Sequence, residues 1–361
     1  MKIRALSLHY ILIQKAMKKQ IFFYLTLVIA MFPSLNGKAI TAVKPGSIYS
    51  LEKIDLGGIR QTILITGKDS TKPVLLFVHG GPAFSEIALV RKYDSDLDNY
   101  FTVVNWDQRG TNLSYSPSTP RSSMTMEQIV ADAHELVSVL QKRFHHHKIF
   151  LLGHSWGSTV GMILASKYPS DFYAYIGVGQ VVNMQENERV SLQFAMRMAQ
   201  KENNKKAIAE LKGILPYPSP KETLQQLYTS RKWMTYYGGE VYGHHDASTI
   251  FAGVADGKNP LYDMKKVDAG DVLSMETLWE PFMKTDFPRS TPELKIPVYF
   301  LLGKHDYNVP YMLAEDYLKK LKAPAKKLVL FDNSAHLPPF EEPKKFVEVM
   351  AGIASETNLQ D

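Results

Sequence analysis

The run Lys148-Ile-Phe-Leu-Leu-Gly-His-Ser155-Trp-Gly-Ser-Thr-Val160 decides how this chain is read. Its first half, Lys148–Leu152, is short and apolar, the pattern of a strand buried on both faces of a sheet. Its second half leads into a helix over Thr159–Tyr168 that stops at Pro169, which has no N–H to continue the ladder. Between them, Gly153-His-Ser-Trp-Gly157 fits G-x-S-x-G. A serine hydroxyl attacks a carbonyl well only when it is exposed, oriented and beside a base. A sharp strand-to-helix turn supplies exposure by straining the serine backbone, and glycines two residues to either side let chain segments pack closely there. The helix N-terminus behind presents free N–H groups, so the amide of Trp156 can donate to a developing oxyanion. The bare pattern is common; its setting between strand and helix makes Ser155 the candidate nucleophile.

Working outward, Pro73–Val78 and Phe101–Trp106 are further apolar strand runs. They end in His79-Gly-Gly-Pro82 and Asp107-Gln-Arg-Gly110. Two strands around Ile48–Asp55 and Ile59–Thr66 are joined at Gly57-Gly58 as a hairpin. Met126–Phe144 carries Ile129, Val130, Ala133, Leu136, Val137 and Leu140 at helical spacing, with Thr125 as its cap. The alternation lapses between Val182 and Pro292, where aromatics (Trp233, Tyr236, Tyr237, Tyr242) and helical stretches suggest an insertion. It resumes with a strand over Ile296–Leu302, a helix over Tyr311–Leu321, a strand over Lys327–Phe331 and a closing helix over Pro343–Ile353. The expected class is α/β, a mostly parallel central sheet with flanking helices and a helical cap. The expected division is a leader over 1–40, a core over 41–182 and 292–361, and the cap over 183–291.

A serine nucleophile on such a sheet needs an acid and a histidine, in that chain order, on loops after later strands. The strand ending at Leu302 runs into Gly303-Lys-His-Asp306, and the strand ending at Phe331 into Asp332-Asn-Ser-Ala-His336. Ser155, Asp306 and His336 are therefore the expected triad: nucleophile, orienting carboxylate and general base. His305 is a rival base with its side chain turned elsewhere, and Asp332 reads as a turn former. His79 and His154 flank glycines and read as loop-orienting residues. Adjacent His145, His146 and His147 do not share a helix face, and His244 and His245 fit no metal spacing. No metal or organic cofactor is expected. Gly80 and Gly81 let the backbone approach a substrate, and the N–H of Gly81 would complete an oxyanion hole with Trp156.

With these motifs assembled, the chain resembles the α/β-hydrolases, and more narrowly the proline iminopeptidase family of serine peptidases. His79-Gly-Gly-Pro82, Asp107-Gln-Arg-Gly110 and Gly153-His-Ser-Trp-Gly-Ser158 carry the likeness, which covers residues 45–182 and 292–355. The chain departs from the family pattern at Ala83 and Asn112, where the family favours glycine. The resemblance implies an aminopeptidase that holds a free N-terminal amine with acidic side chains of a helical cap. Glu186, Glu188, Glu240 and Glu276 are candidates by charge and position, with exposed surface glutamates as the plainer reading. Trp233, Tyr236 and Tyr237 are candidates for a proline-ring pocket or for packing the cap on the core.

Composition fixes the surroundings of this chemistry. The 361 residues are 45% hydrophobic and 22% charged, which excludes a disordered chain. The absence of cysteine excludes a disulfide scaffold and a thiolate nucleophile. The net charge of +6 belongs to the first 38 residues; the rest carries 36 basic against 36 acidic residues, so no nucleic-acid partner is indicated. Lys18-Lys19, an apolar run over Ile21–Phe32, and then Pro33–Ala39 describe a secretory signal peptide. The run is short for a membrane span, so an exported, periplasmic or secreted protein is expected, with an uncleaved anchor as the alternative. The expected function is an exported serine hydrolase releasing N-terminal proline or similar residues from short peptides. Ester, lactone or non-peptide amide hydrolysis by the same triad is the second reading, and a binding protein without turnover the third.

Overall fold

The computed structural model describes residues 46–219 and 223–357; the expected leader lies outside the described residues. Eight strands form one sheet: β1 (Ile48–Leu56), β2 (Ile59–Gly67), β3 (Val74–Val78), β4 (Thr102–Asp107), β5 (Ile149–His154), β6 (Phe172–Val178), β7 (Val298–Gly303) and β8 (Lys326–Phe331). Their order is β1-β2-β4-β3-β5-β6-β7-β8. β2 runs antiparallel to both its neighbours, and all other pairs are parallel. β6 is a strand that the sequence reading did not assign.

The parallel strands β3 to β7 are buried throughout, and alternate residues feed opposite faces of the sheet. Val74, Leu76 and Val78 join the core beneath helices α2 (Met126–Phe144) and α3 (Trp156–Lys167). Leu75 and Phe77 join the core beneath α1 (Ile87–Tyr93) and the C-terminal helix Pro343–Glu356. Thr125 caps α2 by accepting the N–H of Gln128, as its sequence position suggested.

Between β6 and β7 the chain forms α4 (Met184–Lys201), α5 (Lys205–Gly213), α6 (Leu224–Tyr236) and α7 (Met264–Phe282). Their starts are local in origin. Asn183 caps α4, Asn204 caps α5, Thr223 and Gln226 form a capping box on α6, and Asp263 caps α7. The first three helices bury their own small core of Leu192, Phe194, Ala195, Leu211, Trp233 and Met234. The other end of the cap rests on the sheet's C-terminal edge, where an open α/β sheet places its site.

Candidate active site

Ser155 sits between β5 and α3 with φ 53° and ψ −121°, a conformation costing about 1–3 kcal/mol that only a fixed surrounding sustains. The surrounding is fixed because there is no room to relax. A Cβ on Gly153 would lie 2.3 Å from the carbonyl oxygen of Gly157, and one on Gly157 would lie 2.1 Å from that of Val78. The Ser155 N–H is held by the carbonyl of Val178, 2.9 Å away on β6. Trp156 is the first residue of α3, so its N–H has no carbonyl partner inside the helix.

Asp306 and His336 meet as the loops after β7 and β8 converge. His336 Nδ1 lies 2.8 Å from Asp306 Oδ2, with both side chains buried. Asp306 Oδ1 also accepts the N–H of Val309 at 2.7 Å, which fixes the carboxylate. A Cβ on Gly179, just past β6, would stand 3.0 Å from the His336 ring, so this glycine makes the space the imidazole fills.

Three histidines near the elbow and the triad loops are buried, and their partners separate them. His79 Nε2 accepts the N–H of Gln108 at 3.1 Å, so Nδ1 carries the hydrogen and donates to the carbonyl of Gly80 at 2.8 Å. Burial pushes its pKa down to about 4, which keeps that neutral form. His154 has one ring nitrogen on Glu86 and the other on the carbonyl of His336. His336 pairs its Nδ1 with the Asp306 carboxylate, and its Nε2 makes no hydrogen bond among the described residues. His305 is half-buried and lies against the carbonyl of Asp332, with Tyr242 stacked on it at 3.8 Å.

The main chain around His336 is held on every side. Its N–H donates to the carbonyl of Glu240 in the cap, at 2.9 Å. Glu341 accepts the N–H groups of Ala335, Leu337 and, from the cap, Tyr242. Burial raises its carboxyl to about 7 against the pull of those three bonds. Gly239 accepts from Tyr307 and Asn308, next to Asp306, at 3.0 and 3.1 Å. One cap loop is thus bonded to both the acid loop and the histidine loop.

The His79–Pro82 turn packs on the nucleophile: a Cβ on Gly80 would lie 3.1 Å from that of Ser155. Gly81 has φ 116°, and a side chain there would strike the main-chain nitrogens of Ala83 and Phe84. Asp107-Gln-Arg-Gly110 is the brace behind this turn. Gln108 donates to the carbonyl of His79 and accepts from Trp156 Nε1, tying the turn to the elbow. Asp107 takes Ser85, Asn112 and the N–H of Leu113, and burial pushes its carboxyl up to about 7. Arg109 pairs bidentately with Asp132 of α2 in a fully buried bridge at 2.8 and 2.9 Å. The two family departures fall at left-handed positions, Ala83 at φ 68° and Asn112 at φ 39°. Asparagine tolerates that region. Its amide also bonds Asp107, Ser85 and the carbonyl of Leu261, and accepts the N–H of Asp263, so it anchors the start of α7.

The four cap glutamates part company. Glu186 is half exposed and paired with Arg189; Glu276 is exposed and paired with Arg121. Glu188 is fully buried, but Arg231 and Tyr217 hold it within the cap. Glu240 is bonded to Thr235 through one oxygen only, at 2.6 Å, and its main chain touches His336. Trp233 is turned into the cap's own core, with its indole N–H on Glu210. Tyr236 packs edge-on against Trp233 and Tyr237 and stacks on His245. Glu86, Glu341 and Asp132 were not singled out from the sequence. Each has at least one partner distant along the chain, and no local pattern marks it.

Residues 75–349 match the Alpha/beta hydrolase family. The chain belongs to that family. It is 33% identical over 308 residues to a Bacillus subtilis (strain 168) protein named "Probable aminopeptidase YbaC", covering 84% of this chain and 96% of that one. It is 22% identical over 318 residues to a proline iminopeptidase of Lactobacillus crispatus (strain ST1), covering 82% and 95%. Among solved structures, a proline iminopeptidase-related protein from Thermus thermophilus superposes with a TM-score of 0.64 at 19% identity, covering 85% of this chain and 98% of that one. This α/β-hydrolase is therefore a hydrolase resembling aminopeptidases of the proline iminopeptidase kind, on the open, mostly parallel sheet that the motifs implied.

Proposed function

We propose that this α/β-hydrolase is an exported serine aminopeptidase that releases N-terminal proline or a similar residue from short peptides. Ser155 attacks the scissile carbonyl while His336 takes its proton, and Asp306 holds the imidazole tautomer and stabilises the imidazolium. The N–H groups of Gly81 and Trp156 receive the oxyanion. His336 then protonates the leaving amine, and water activated by the same ring releases the acid from the acyl-enzyme. Export is argued from the residue 1–40 leader alone. The observation that carries the reading is the partner pattern of the three buried histidines, which leaves the Nε2 of His336 as the available base, its ring next to that of His154, the residue before the elbow serine.

Glu240 is the carboxylate best suited to a substrate ammonium, since one of its oxygens is uncommitted and its loop touches both triad loops. Glu240→Gln is expected to lower kcat/KM on proline-naphthylamide about tenfold or more, the worth of a charged hydrogen bond, and to leave short acyl esters unaffected. The second reading, hydrolysis of esters, lactones or non-peptide amides, is favoured by the ion pairs that occupy Glu186, Glu188 and Glu276. Comparing proline-naphthylamide with acyl esters on the purified protein decides between the two. Ser155→Ala must abolish turnover of whichever is cleaved, along with labelling by a fluorophosphonate probe. Turnover that survives in Ser155→Ala sinks both readings.

A further inference from the structure

Glu86 and His154 lie against the site, are each 1% exposed, and have no part in the steps above. His154 Nδ1 is 2.5 Å from Glu86 Oε1, and Nε2 is 2.9 Å from the main-chain oxygen of His336. A carbonyl oxygen only accepts, so Nε2 must carry a hydrogen. Nδ1 and the Glu86 carboxyl then share one proton, as imidazolium and carboxylate or as imidazole and acid. Either form leaves the ring in the same orientation. Burial works against the charged ring, but the Glu86 carboxylate, the bond to His336 and the charge of Asp306 together outweigh it, so the His154 pKa is raised.

The placement joins three segments. Glu86 follows the His79–Pro82 turn, His154 immediately precedes Ser155, and the bond from Nε2 ends on His336 itself. The ring of His154 lies 5.0 Å from that of His336, centre to centre. Among the described residues, Glu86 Oε2 has no hydrogen-bond partner, and neither carboxyl oxygen of buried Asp94 has one. Buried polar groups left this incomplete are costly, and replacement by apolar residues would pack the same space.

We propose that Glu86 and His154 form a positioning pair that fixes the main chain of His336 against Ser155 and so sets the gap across which the serine proton travels. The inference rests on the reading of Ser155 and His336 as nucleophile and base.

The test uses the whole chain and four variants, with two readouts. These are the rate of fluorophosphonate labelling, and kcat and KM on whichever ester or amide is turned over. Glutamine can place an N–H where His154 Nε2 stands, whereas phenylalanine fills the ring volume and cannot donate. His154→Phe is expected to lower the labelling rate and kcat about 100-fold, the scale of an ångström-sized misplacement, with KM unchanged. His154→Gln is expected to restore most of both. Glu86→Leu should behave as His154→Phe, and Glu86→Gln, whose amide can donate to Nδ1, as the wild type. Labelling of His154→Phe at the wild-type rate overturns the proposal. So does a folded His154→Gln no faster than His154→Phe. Should His154→Phe fail to fold, the Glu86 pair decides by the same criterion. A wild-type protein that is not labelled overturns the reading of Ser155 instead, before any variant is compared.

Discussion

At the scale of single residues, the site is a set of side chains whose protonation is dictated by neighbours. Asp107 shows the consequence for stability. Burial raises its carboxyl from an ordinary 3.8 to about 7, so the folded chain holds a proton that the unfolded chain releases. Its contribution is full below pH 3.8 and is lost as pH rises through about 7. An asparagine in its place is neutral at every pH and has no such dependence. The cost of Asp107→Asn, measured by urea unfolding at a series of pH values, is therefore expected to be greatest near the acid end and to shrink until it levels off above about pH 7. A cost that grows with pH would show that Asp107 is ionised in the folded protein. The candidate triad was legible at this scale because each member stands in a loop after an apolar strand run. Glu86, Asp132 and Glu341 were not. Glu86 finds its partner 68 residues away, and His154 finds the carbonyl of His336 across 182. Such pairings exist only once the sheet has brought the loops together.

Elements carry the next layer of constraint. The elbow is a steric contact between β3, β5 and α3, and Gly157 is where they touch. Gly157→Ala is expected to cost about 3 kcal/mol, read as a fall in the urea midpoint, because its methyl group meets the backbone of Val78 and His79. The same substitution should abolish probe labelling by displacing the serine. Arg109 and Asp132 join the loop after β4 to α2, and Asp132 also receives Gln61 of β2. Arg109→Met leaves that carboxylate buried without its cation and is expected to destabilise the fold by about 3–5 kcal/mol. A melting temperature unchanged from wild type would show that Asp132 takes up a proton or water there at little cost. Most strands were readable as apolar runs ended by glycine. β6 was not: Phe172-Tyr-Ala-Tyr-Ile-Gly-Val178 is buried on both faces like β3, but tyrosines and an internal glycine interrupt its run where that of β3 is unbroken. It also follows directly on a proline stop and leads into the cap, where strand and buried helix read alike.

Across the whole molecule, a sheet whose motifs are easily read meets a run of helices whose sequence says little about what it binds. The cap's acids were indistinguishable as letters. Only their partners sort them, with Glu188 spent on Arg231 and Glu240 left with an uncommitted oxygen. The cap reaches the triad loops through the carbonyls of Gly239 and Glu240, which any residue would supply, and through the side chains of Asn187 and Arg231 on the carbonyl of Asn308, Phe194 on Tyr307 and Tyr242 on His305. Gly239 itself is confined by Met234, Phe194 and Tyr307. The side chain at 240, bonded among the described residues only to nearby Thr235, carries no such duty. Selectivity can therefore drift at position 240 while the alignment of acid and base is inherited intact. A library randomised there would sample new substrates on an unchanged reaction centre.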